Sequence, residues 1–315
     1  MFEKRLKEIS EKLGGDSLKI YYVLSRKKHR REIYFENNQK SVAFIKIKFN
    51  SSYKKIAYFL IKLGILQPFL KKVKLSSKIG NVIFVGGQIK GFNLKKKTVI
   101  SFPLHDIEKK DFVESKKIQK KFSKEGFAPN VLKLNKRIPF SVEELLKVYT
   151  GGYEEGVFKK LRSFYKKEGI EKTSIKKYVS FLLKRLKKMG VNETSLFKIL
   201  KDFSKKKELL LISKIHGDFT REQILVKENS FVFTDWDSYE KELKKNLIIR
   251  DLVTFFRGET RFLDNKLFIR LLEIYPKEVK NNIKLYLILN EVYDVSRRNV
   301  FPDISKERIK NILKH

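Results

Sequence analysis

The order of strand-like and helical patterns predicts an α+β protein whose first half is rich in strands and whose second half is mostly helical. Short runs of β-branched and aromatic residues, separated by turn residues, fill much of residues 18–104. Apolar residues recur at helical spacing over 111–124 and from 154 to about 208, and helical patterns return over 247–315. Strands that precede helices in this way indicate two parts of different architecture.

The N-terminal region predicts a helix, a small antiparallel meander and a second helix. The first helix covers residues 2–13, where apolar side chains share one face. Strand-like runs follow at Leu18–Leu24, Ile33–Phe35 and Ser41–Lys48. Residues 53–72 are apolar and helical in pattern.

A second group of strands flanks one further helix. The strands are Val82–Val85, Ile89–Leu94 and Thr98–Leu104. The helix spans 111–124, and residues 138–148 predict one more strand.

Composition allows a large apolar core and excludes cysteine chemistry. Hydrophobic residues make up 42% of the 315 residues, and the chain has 26 Phe. It contains no cysteine, which excludes disulfides, thiolate zinc sites and cysteine nucleophiles. The N-terminus carries charges where a secretory signal needs an apolar stretch, and no apolar run approaches the roughly 20 residues of a membrane span. We therefore expect a soluble, cytoplasmic protein.

The chain is strongly basic, with 72 Lys and Arg against 36 Asp and Glu and a formal net charge of +36. Such a charge attracts polyanions, including nucleic acid, anionic lipid, acidic glycans and nucleotides. Most of the basic residues are lysines spread over nearly every predicted helix, whereas nucleic-acid surfaces concentrate arginine and aromatic residues in one stretch. This distribution favours a generally lysine-rich composition and leaves nucleic acid or an anionic membrane as less favoured partners.

Residues 215–240 carry the pattern with the clearest chemistry. A polar turn, His216-Gly217-Asp218, follows an apolar run, and two further strand-like runs are joined by a turn at 228–230. The second of these strands ends at Asp235. Two strands paired across that turn place Asp218 and Asp235 at the same end. One carboxylate can then accept a proton from a substrate hydroxyl while the other holds Mg²⁺ on phosphate oxygens.

This segment resembles the H-G-D-x-x-x-x-N motif, the hairpin and the Asp-aromatic-acid triplet of the aminoglycoside phosphotransferase and choline kinase superfamily. The resemblance implies a protein-kinase-like bilobal fold, with a small antiparallel-sheet N-lobe and a mostly helical C-lobe. The implied catalytic residues are Asp218, which deprotonates or positions the nucleophile, and His216, which shapes the loop. Asp235 and Asp237 are the implied magnesium ligands, and ATP and Mg²⁺ are the implied cofactors.

The chain departs from the family pattern at the asparagine position, which holds Gln223. Glutamine keeps an amide oxygen that can bind a metal, but its longer side chain displaces that oxygen, and Mg²⁺ tolerates little geometric error. Gln223 is therefore a candidate ligand for weaker metal binding. Downstream, Arg250-Asp251-Leu252 begins a segment similar to the D-L-x-x-F-F helix start of the family. There, Asp251 is expected to cap the helix or anchor the catalytic loop.

The nucleotide-binding half permits two registers. In the favoured register, residues 80–147 form the nucleotide lobe and Gly86-Gly87 forms the hairpin turn over the phosphates. Glu114 is then the helix glutamate, and Ser101 stands where the family has its phosphate-binding lysine. In the other register, Lys46 is that lysine, but the helix that follows it carries no acidic partner.

The favoured register predicts three domains: an additional N-terminal α+β module over 1–78, a kinase-like nucleotide-binding lobe over 79–148, and a helical lobe over 149–315. The predicted function is ATP- and Mg²⁺-dependent phosphorylation of a hydroxyl on a small molecule, sugar or cell-envelope glycan precursor. The basic surface suits an anionic acceptor. Two alternatives stay open: a catalytically weak or inactive nucleotide-binding module, suggested by Gln223 and the unassigned lysine, and a polyanion-binding protein on the same scaffold.

Overall fold

The chain folds as two compact units, Met1–Lys147 and Val148–His315. The computed structural model describes residues 2–14, 18–26, 31–46, 52–191, 194–236, 245–298 and 302–315. Unit 1 is built on one large antiparallel sheet, and unit 2 is mostly helical with two small sheets. The predicted α+β class, with strands before helices, is confirmed.

Unit 1 alternates helices with strands. In chain order its elements are α1 (Phe2–Lys12), β1 (Leu18–Arg26), β2 (Arg31–Glu36), α2 (Gln39–Ile45), α3 (Ser52–Lys62), β3 (Lys71–Ser76), β4 (Val82–Val85), β5 (Gln88–Asn93), β6 (Thr98–Pro103), α4 (Lys109–Lys124), β7 (Val131–Asn135) and β8 (Phe140–Glu144). The strands form one 8-stranded sheet in the order β3-β1-β2-β4-β5-β6-β8-β7. Strands on either side of residue 78 therefore share the same sheet.

The sheet of unit 1 carries an apolar core on each face. On one face, α1 packs Leu6 and Ile9 into a buried cluster. On the other face, Ile45 of α2 and Ile61, near the end of α3, pack into a second cluster around Phe35. Consecutive residues of a strand point to opposite faces, so one sheet can support both cores.

Two segments of unit 1 differ from the sequence prediction. The run Ser41–Lys48, predicted as a strand, begins within helix α2, because the side chain of Asn38 accepts a hydrogen bond from the backbone N–H of Ser41 (2.9 Å) and caps that helix. The segment predicted as helical to residue 72 ends its helix at Lys62 and continues into strand β3. Short apolar runs such as the one in α2 are ambiguous between helix and strand.

Unit 2 follows a short strand, β9 (Lys147–Val148), at the boundary. Its further elements are α5 (Glu154–Glu168), β10 (Glu171–Ser174), α6 (Ile175–Lys188), α7 (Thr194–Ser204), β11 (Leu209–Ser213), β12 (Ile224–Lys227), β13 (Ser230–Phe233), β14 (Asn246–Leu247), α8 (Arg250–Phe255), α9 (Lys266–Leu272), α10 (Lys277–Asn281), α11 (Ile283–Arg298) and α12 (Asp303–Lys314). The strand orders of the two small sheets are β10-β11-β14 and β13-β12-β9.

Helix α5 supplies the apolar support for the loops that carry the candidate site. Phe158 packs edge-on against Phe219 and Phe255, with ring centroids 5.8 and 5.2 Å apart. Phe164, six residues further on, packs against Trp236 at 5.1 Å. Among the described residues, no helix has both the length and the apolar character needed to cross a membrane.

Candidate functional site

The candidate catalytic loop, residues 216–218, lies between β11 and the hairpin β12–β13. Its middle residue, Gly217, has φ = 90°, a left-handed conformation that glycine adopts without the steric penalty of a Cβ. The backbone N–H groups of His216 and Gly217 both donate to the carboxylate of Asp251, at 2.9 and 2.8 Å. A single carboxylate therefore holds the backbone of this loop in place.

Asp251 lies in the first turn of α8 and is fully buried. Its Oδ2 also accepts a hydrogen bond from the hydroxyl of Tyr165, at 2.8 Å. Burial and the neighbouring carboxylate raise the pKa of Tyr165 well above its usual value, so this hydroxyl keeps its proton and donates. Two backbone N–H groups and one hydroxyl thus replace the hydrogen bonds that the buried carboxylate can no longer make with water. The predicted role of Asp251 as a loop anchor is confirmed.

His216 connects the loop to the strand end that precedes Asp235. Its ring is fully buried, and its Nε2 lies 2.7 Å from the carbonyl oxygen of Thr234. Because a carbonyl oxygen only accepts, Nε2 donates, and in the neutral ring Nδ1 is an acceptor. Nδ1 has no partner among the described residues. The ring also packs on Trp236 with centroids 4.7 Å apart, so His216 acts here by positioning its neighbours.

The hairpin β12–β13 delivers Asp235 at a defined point. The backbone N–H of Thr234 donates to the carbonyl of Gln223 at 3.0 Å, and the carbonyl of Thr234 accepts from the ring of His216. Both polar backbone groups of Thr234 are therefore occupied. Asp235 follows with φ = 61°, a conformation that costs energy for a residue other than glycine and concentrates at functional sites.

Asp218 is presented to solvent at the end of the loop. Its side chain is 42% exposed and forms an ion pair with Arg257, which follows α8 and is 59% exposed. A carboxylate that activates a substrate hydroxyl must be reachable by that hydroxyl, and this exposure permits it. Ion pairs between exposed side chains contribute at most about 1 kcal/mol, so this pair costs little to break.

Gln223 lies in a single 3₁₀ turn immediately before β12 and is buried. Its Oε1 accepts a hydrogen bond from the backbone N–H of Thr220 at 2.8 Å. This bond occupies one of the two lone pairs on the only oxygen of this side chain that could bind a metal. Asp237, the other predicted ligand beside Asp235, lies outside the described residues.

The metal-ligating side chains at the site are few. In the part of the chain that the structure describes, no group of three or more His, Cys, Asp or Glu side chains could hold a metal ion. Protein sites for Mg²⁺ commonly supply only one or two carboxylates, and substrate phosphates and water complete the shell. Asp235 has a carboxylate and Gln223 an amide oxygen, which are donor types that Mg²⁺ takes in such shells.

Unit 1 places the predicted nucleotide-binding residues in different environments. Gly86-Gly87 forms the turn between β4 and β5, and Gly87 has open space beside its Cα. Lys46 follows helix α2 and is exposed, so it is not a strand lysine. Glu114 lies on the exposed side of α4 and pairs with a lysine of the same helix at 2.5 Å. Ser101, by contrast, is buried in the sheet.

The charged residue of α4 that faces the sheet is Lys116. Its Nζ lies 2.9 Å from Oε1 of Glu143 in β8 and 3.0 Å from Oε1 of Gln119. Glu143 also accepts hydrogen bonds from Ser141 at 2.6 Å and from Gln119 at 2.7 Å. Burial raises the pKa of Glu143, but the attraction of Lys116 and these hydrogen bonds outweigh it, so its pKa lies below the usual value.

This network adjoins the position where the resemblance places the phosphate-binding lysine. Ser101 of β6 pairs with Ser141 of β8, and its buried hydroxyl has no partner among the described residues. In the observed pair, the helix supplies the cation and the strand supplies the anion. A sequence signal for it existed, since Lys116 follows Phe112 by four residues and therefore shares its buried helix face.

These features define an α+β protein with a strand-rich unit and a helical unit, the second carrying an H-G-D loop and an aspartate at the end of the next hairpin. Among solved structures, choline kinase LicA from Streptococcus pneumoniae is similar, with a TM-score of 0.45 and 13% identity over 73% of this chain and 89% of that chain. Choline kinase from Cryptosporidium parvum Iowa II has a TM-score of 0.42 and 13% identity over 76% and 87% of the two chains. APH(2″)-IIa in its gentamicin complex has a TM-score of 0.39 and 12% identity over 74% and 87%.

These likenesses have identities of 13% or less and TM-scores of 0.45 or less, so the resemblance to the aminoglycoside phosphotransferase and choline kinase superfamily stays a prediction from the sequence motif. No protein-family profile matches the chain, and no curated protein matches it.

Proposed function

We propose that this chain is an ATP- and Mg²⁺-dependent phosphotransferase that acts on a hydroxyl of a small molecule, sugar or cell-envelope glycan precursor. One observation carries the proposal: the ring of His216 donates to the carbonyl of Thr234 at 2.7 Å. The donor lies two residues before Asp218, and the acceptor lies one residue before Asp235. Two acidic residues that are distant in the chain are therefore borne by loops that touch each other.

The two carboxylates have different proposed roles. Asp218, exposed at the end of an anchored loop, accepts the proton of the acceptor hydroxyl or orients that hydroxyl for attack on the γ-phosphoryl group. Asp235 and Gln223 hold Mg²⁺, and Asp237 is proposed as a further ligand. When bound, the ion neutralises negative charge on the transferred phosphate.

The remaining residues of the site position these groups. Asp251 holds the backbone of His216 and Gly217, and His216 in turn holds Thr234. None of these groups needs to contact substrate. Their part in the proposal is to keep two carboxylates within the small positional error that phosphoryl transfer tolerates.

The proposal assigns nucleotide binding to residues 79–148, with the turn Gly86-Gly87 near the phosphates, and the acceptor to residues 149–315. The net charge of +36 favours an acceptor that carries negative charge. We place the reaction in the cytoplasm.

A second candidate function is nucleotide binding without turnover. Two observations favour it: the amide oxygen of Gln223 already accepts a hydrogen bond from Thr220, and Ser101 is buried where a phosphate-binding lysine is expected. A protein of this kind would bind ATP without transferring its phosphate.

The deciding experiment combines phosphoryl transfer with nucleotide binding. We expect Mg²⁺-dependent consumption of ATP with hydroxyl acceptors, and a loss of about 10²- to 10⁴-fold in Asp218→Ala, the range contributed by a general base. The fold should persist in this variant because the side chain is half-exposed. Asp202→Ala is the matched control, since Asp202 is an exposed aspartate paired with Lys205 in unit 2, and it should keep full activity.

Thermal stabilisation by ATP separates the two candidate functions. Stabilisation with turnover that depends on Asp218 supports the phosphotransferase. Stabilisation without turnover in the wild type supports the binding module. Turnover that is equal in wild type and Asp218→Ala would remove Asp218 from the mechanism.

A further inference from the structure

One side of unit 1 exposes large apolar side chains from a single short segment. In and after α3, the exposed residues are Ile56 (62%), Phe59 (56%), Leu63 (55%), Ile65 (53%) and Phe69 (83%). Single exposed apolar residues are ordinary on a protein surface, but a contiguous group marks an interaction site.

This exposure does not come from an unpacked segment. Ile61 is completely buried, and Leu66 and Leu70 pack into the same apolar cluster. The side chain of Gln67 donates to the carbonyl of Ile61 at 3.3 Å and accepts from the amide of Asn37 at 2.6 Å. The segment is therefore anchored on its inner side while it presents apolar groups on its outer side.

The exposed side of α3 combines an apolar row with lysines. Ile56, Phe59 and Leu63 follow one another at i, i+3 and i+7, so they share one face of the helix. Lys55 and Lys62 are also exposed, and their own i, i+7 spacing places them in a row beside that apolar face. An apolar row bordered by lysines is typical of helices that lie in the surface of a membrane.

Strands β1 and β3 of the sheet also expose apolar side chains beside lysines. Leu18 (61%) and Ile20 (50%) are exposed, and strand alternation places them on the sheet face of Tyr22, which packs against the apolar cluster that includes Ile61 of α3. On the partner strand, Lys74 pairs with Ile20 and Lys72 with Tyr22. The Nζ of Lys72 lies 5.6 Å from the ring centroid of Tyr22, so these lysines lie on that face too.

The segment that contains α3 and β3 carries no acidic residue. No Asp or Glu occurs between Glu36 and Asp106, whereas lysine recurs throughout that stretch. A surface of this kind repels a second copy of itself and attracts an anionic partner. The phosphates of a nucleic acid would pair with the lysines, but the aliphatic side chains would stay exposed to water.

We propose that this surface, named the α3 face, binds membranes that contain anionic lipids. It consists of the apolar residues Leu18, Ile20, Ile56, Phe59, Leu63, Ile65 and Phe69 and the basic residues Lys55, Lys62, Lys72 and Lys74. The apolar side chains enter the boundary between headgroups and acyl chains, and the lysines contact the anionic headgroups. The site is independent of the proposed phosphotransferase function and holds if that function fails.

The test is flotation of the full chain with vesicles, using equal parts of phosphatidylglycerol and phosphatidylcholine, and with vesicles of phosphatidylcholine alone. We expect binding to the mixed vesicles and at least about tenfold weaker binding to the neutral ones. The triple variant Ile56→Ser/Phe59→Ser/Phe69→Ser should bind the mixed vesicles at least about tenfold more weakly than wild type. Its matched control, Ile107→Ser/Leu132→Ser/Leu209→Ser, removes apolar side chains that are exposed elsewhere and should bind like wild type.

The contribution of charge is tested in the same assay. Lys72→Gln/Lys74→Gln should weaken binding by about fivefold for each lysine removed. Lys187→Gln/Lys188→Gln, which removes the same charge from exposed positions in α6, should have less effect. Far-ultraviolet circular dichroism and thermal melts of each variant should match those of wild type, because every substituted side chain is exposed.

Three results would overturn the proposal. The first is failure of wild type to float with mixed vesicles. The second is equal binding by both triple serine variants, which would show that net charge alone drives association. The third is a wild-type dimer in sedimentation that the Ile56, Phe59 and Phe69 variant converts to monomer, which would assign the surface to contact between copies.

Discussion

Each unit of the molecule contains a buried carboxylate, and the two differ in what surrounds them. Glu143 in unit 1 is paired with the ammonium group of Lys116 and with side-chain hydrogen bonds. Asp251 in unit 2 accepts two backbone N–H groups and a tyrosine hydroxyl. The first arrangement joins a helix to a sheet, whereas the second holds the backbone of a loop.

The two carboxylates also differ in whether they hold an exposed charged side chain in place. The side chains of Lys116 and Glu143 are only 2% and 7% exposed, so the two charges interact with each other in the interior of unit 1. Asp251 is equally hidden, but the loop that it anchors presents Asp218 with 42% of its side chain exposed. Buried Glu143 therefore links two elements of unit 1, whereas buried Asp251 holds the loop that exposes Asp218 in unit 2.

The largest effect on stability is expected from breaking the buried pair of unit 1. Lys116→Met leaves Glu143 buried without its cation and should lower the free energy of unfolding by about 3–5 kcal/mol. The matched control is Lys117→Met, the next residue of α4, whose pair with Glu114 is half-exposed and should contribute at most about 1 kcal/mol. Urea denaturation measures the free energy of unfolding of both variants. Equal losses would show that the buried pair stabilises the fold no more than the exposed pair.

A smaller loss of stability, with a larger effect on function, is expected at the anchor of unit 2. Asp251→Asn replaces one hydrogen-bond-accepting oxygen with an amide nitrogen, which is itself a donor and cannot accept. The substitution should lower the free energy of unfolding by about 1–3 kcal/mol. Because it disturbs the loop of Asp218, phosphoryl transfer should fall even in protein that remains folded. Asp303→Asn also changes an aspartate in the first turn of a helix, but an exposed one. If both variants kept wild-type activity, the anchor would have no part in positioning the loop.

The pH dependence of stability should report the ionisation of Glu143 in unit 1. The pKa of Glu143 lies below its usual value of 4.5, so its stabilising contribution is complete above the unfolded-state pKa and is lost as pH falls through the folded-state pKa. Glu143→Gln should therefore be less stable than wild type at neutral pH, and the difference should shrink on acidification. Urea titrations at a series of pH values test this, and a difference that stayed constant with pH would exclude an ionised Glu143.

The smallest stability effect is expected at the exposed pair of Asp218 and Arg257. Arg257→Ala should change the free energy of unfolding by no more than about 1 kcal/mol. Arg308→Ala removes a guanidinium whose pair with Glu291 is buried and should cost about 3–5 kcal/mol. A large loss in Arg257→Ala would mean that this pair holds the loop in place, and that Asp218 is less available to substrate than its exposure indicates.

Much of the fold was predictable because the relevant signals are local. Alternating strands at residues 82–103, the helix α4 and the hairpin β12–β13 were recognised from periodicity and turn residues. Helix α2 was missed because its apolar run is short, and the capping side chain of Asn38 decided the conformation.

For the candidate site, the residues were predictable but their contacts were not. The H-G-D turn and the aspartate after the hairpin were visible in the chain, as was the anchoring role of Asp251. The bond from His216 to Thr234 and the partner of Asp218 join residues 18 and 39 positions apart. A periodic pattern holds no information about contacts at such separations.

By itself, the sequence determined the α+β class, the strand–turn–strand segment that carries Asp235, and the strongly basic character of the chain. The tertiary structure decided that Lys116 faces Glu143, that Glu114 faces solvent, and that an apolar row on α3 stays uncovered. The physical reason is that periodicity and turn chemistry act over a few residues, whereas burial and charge pairing depend on which distant elements pack together.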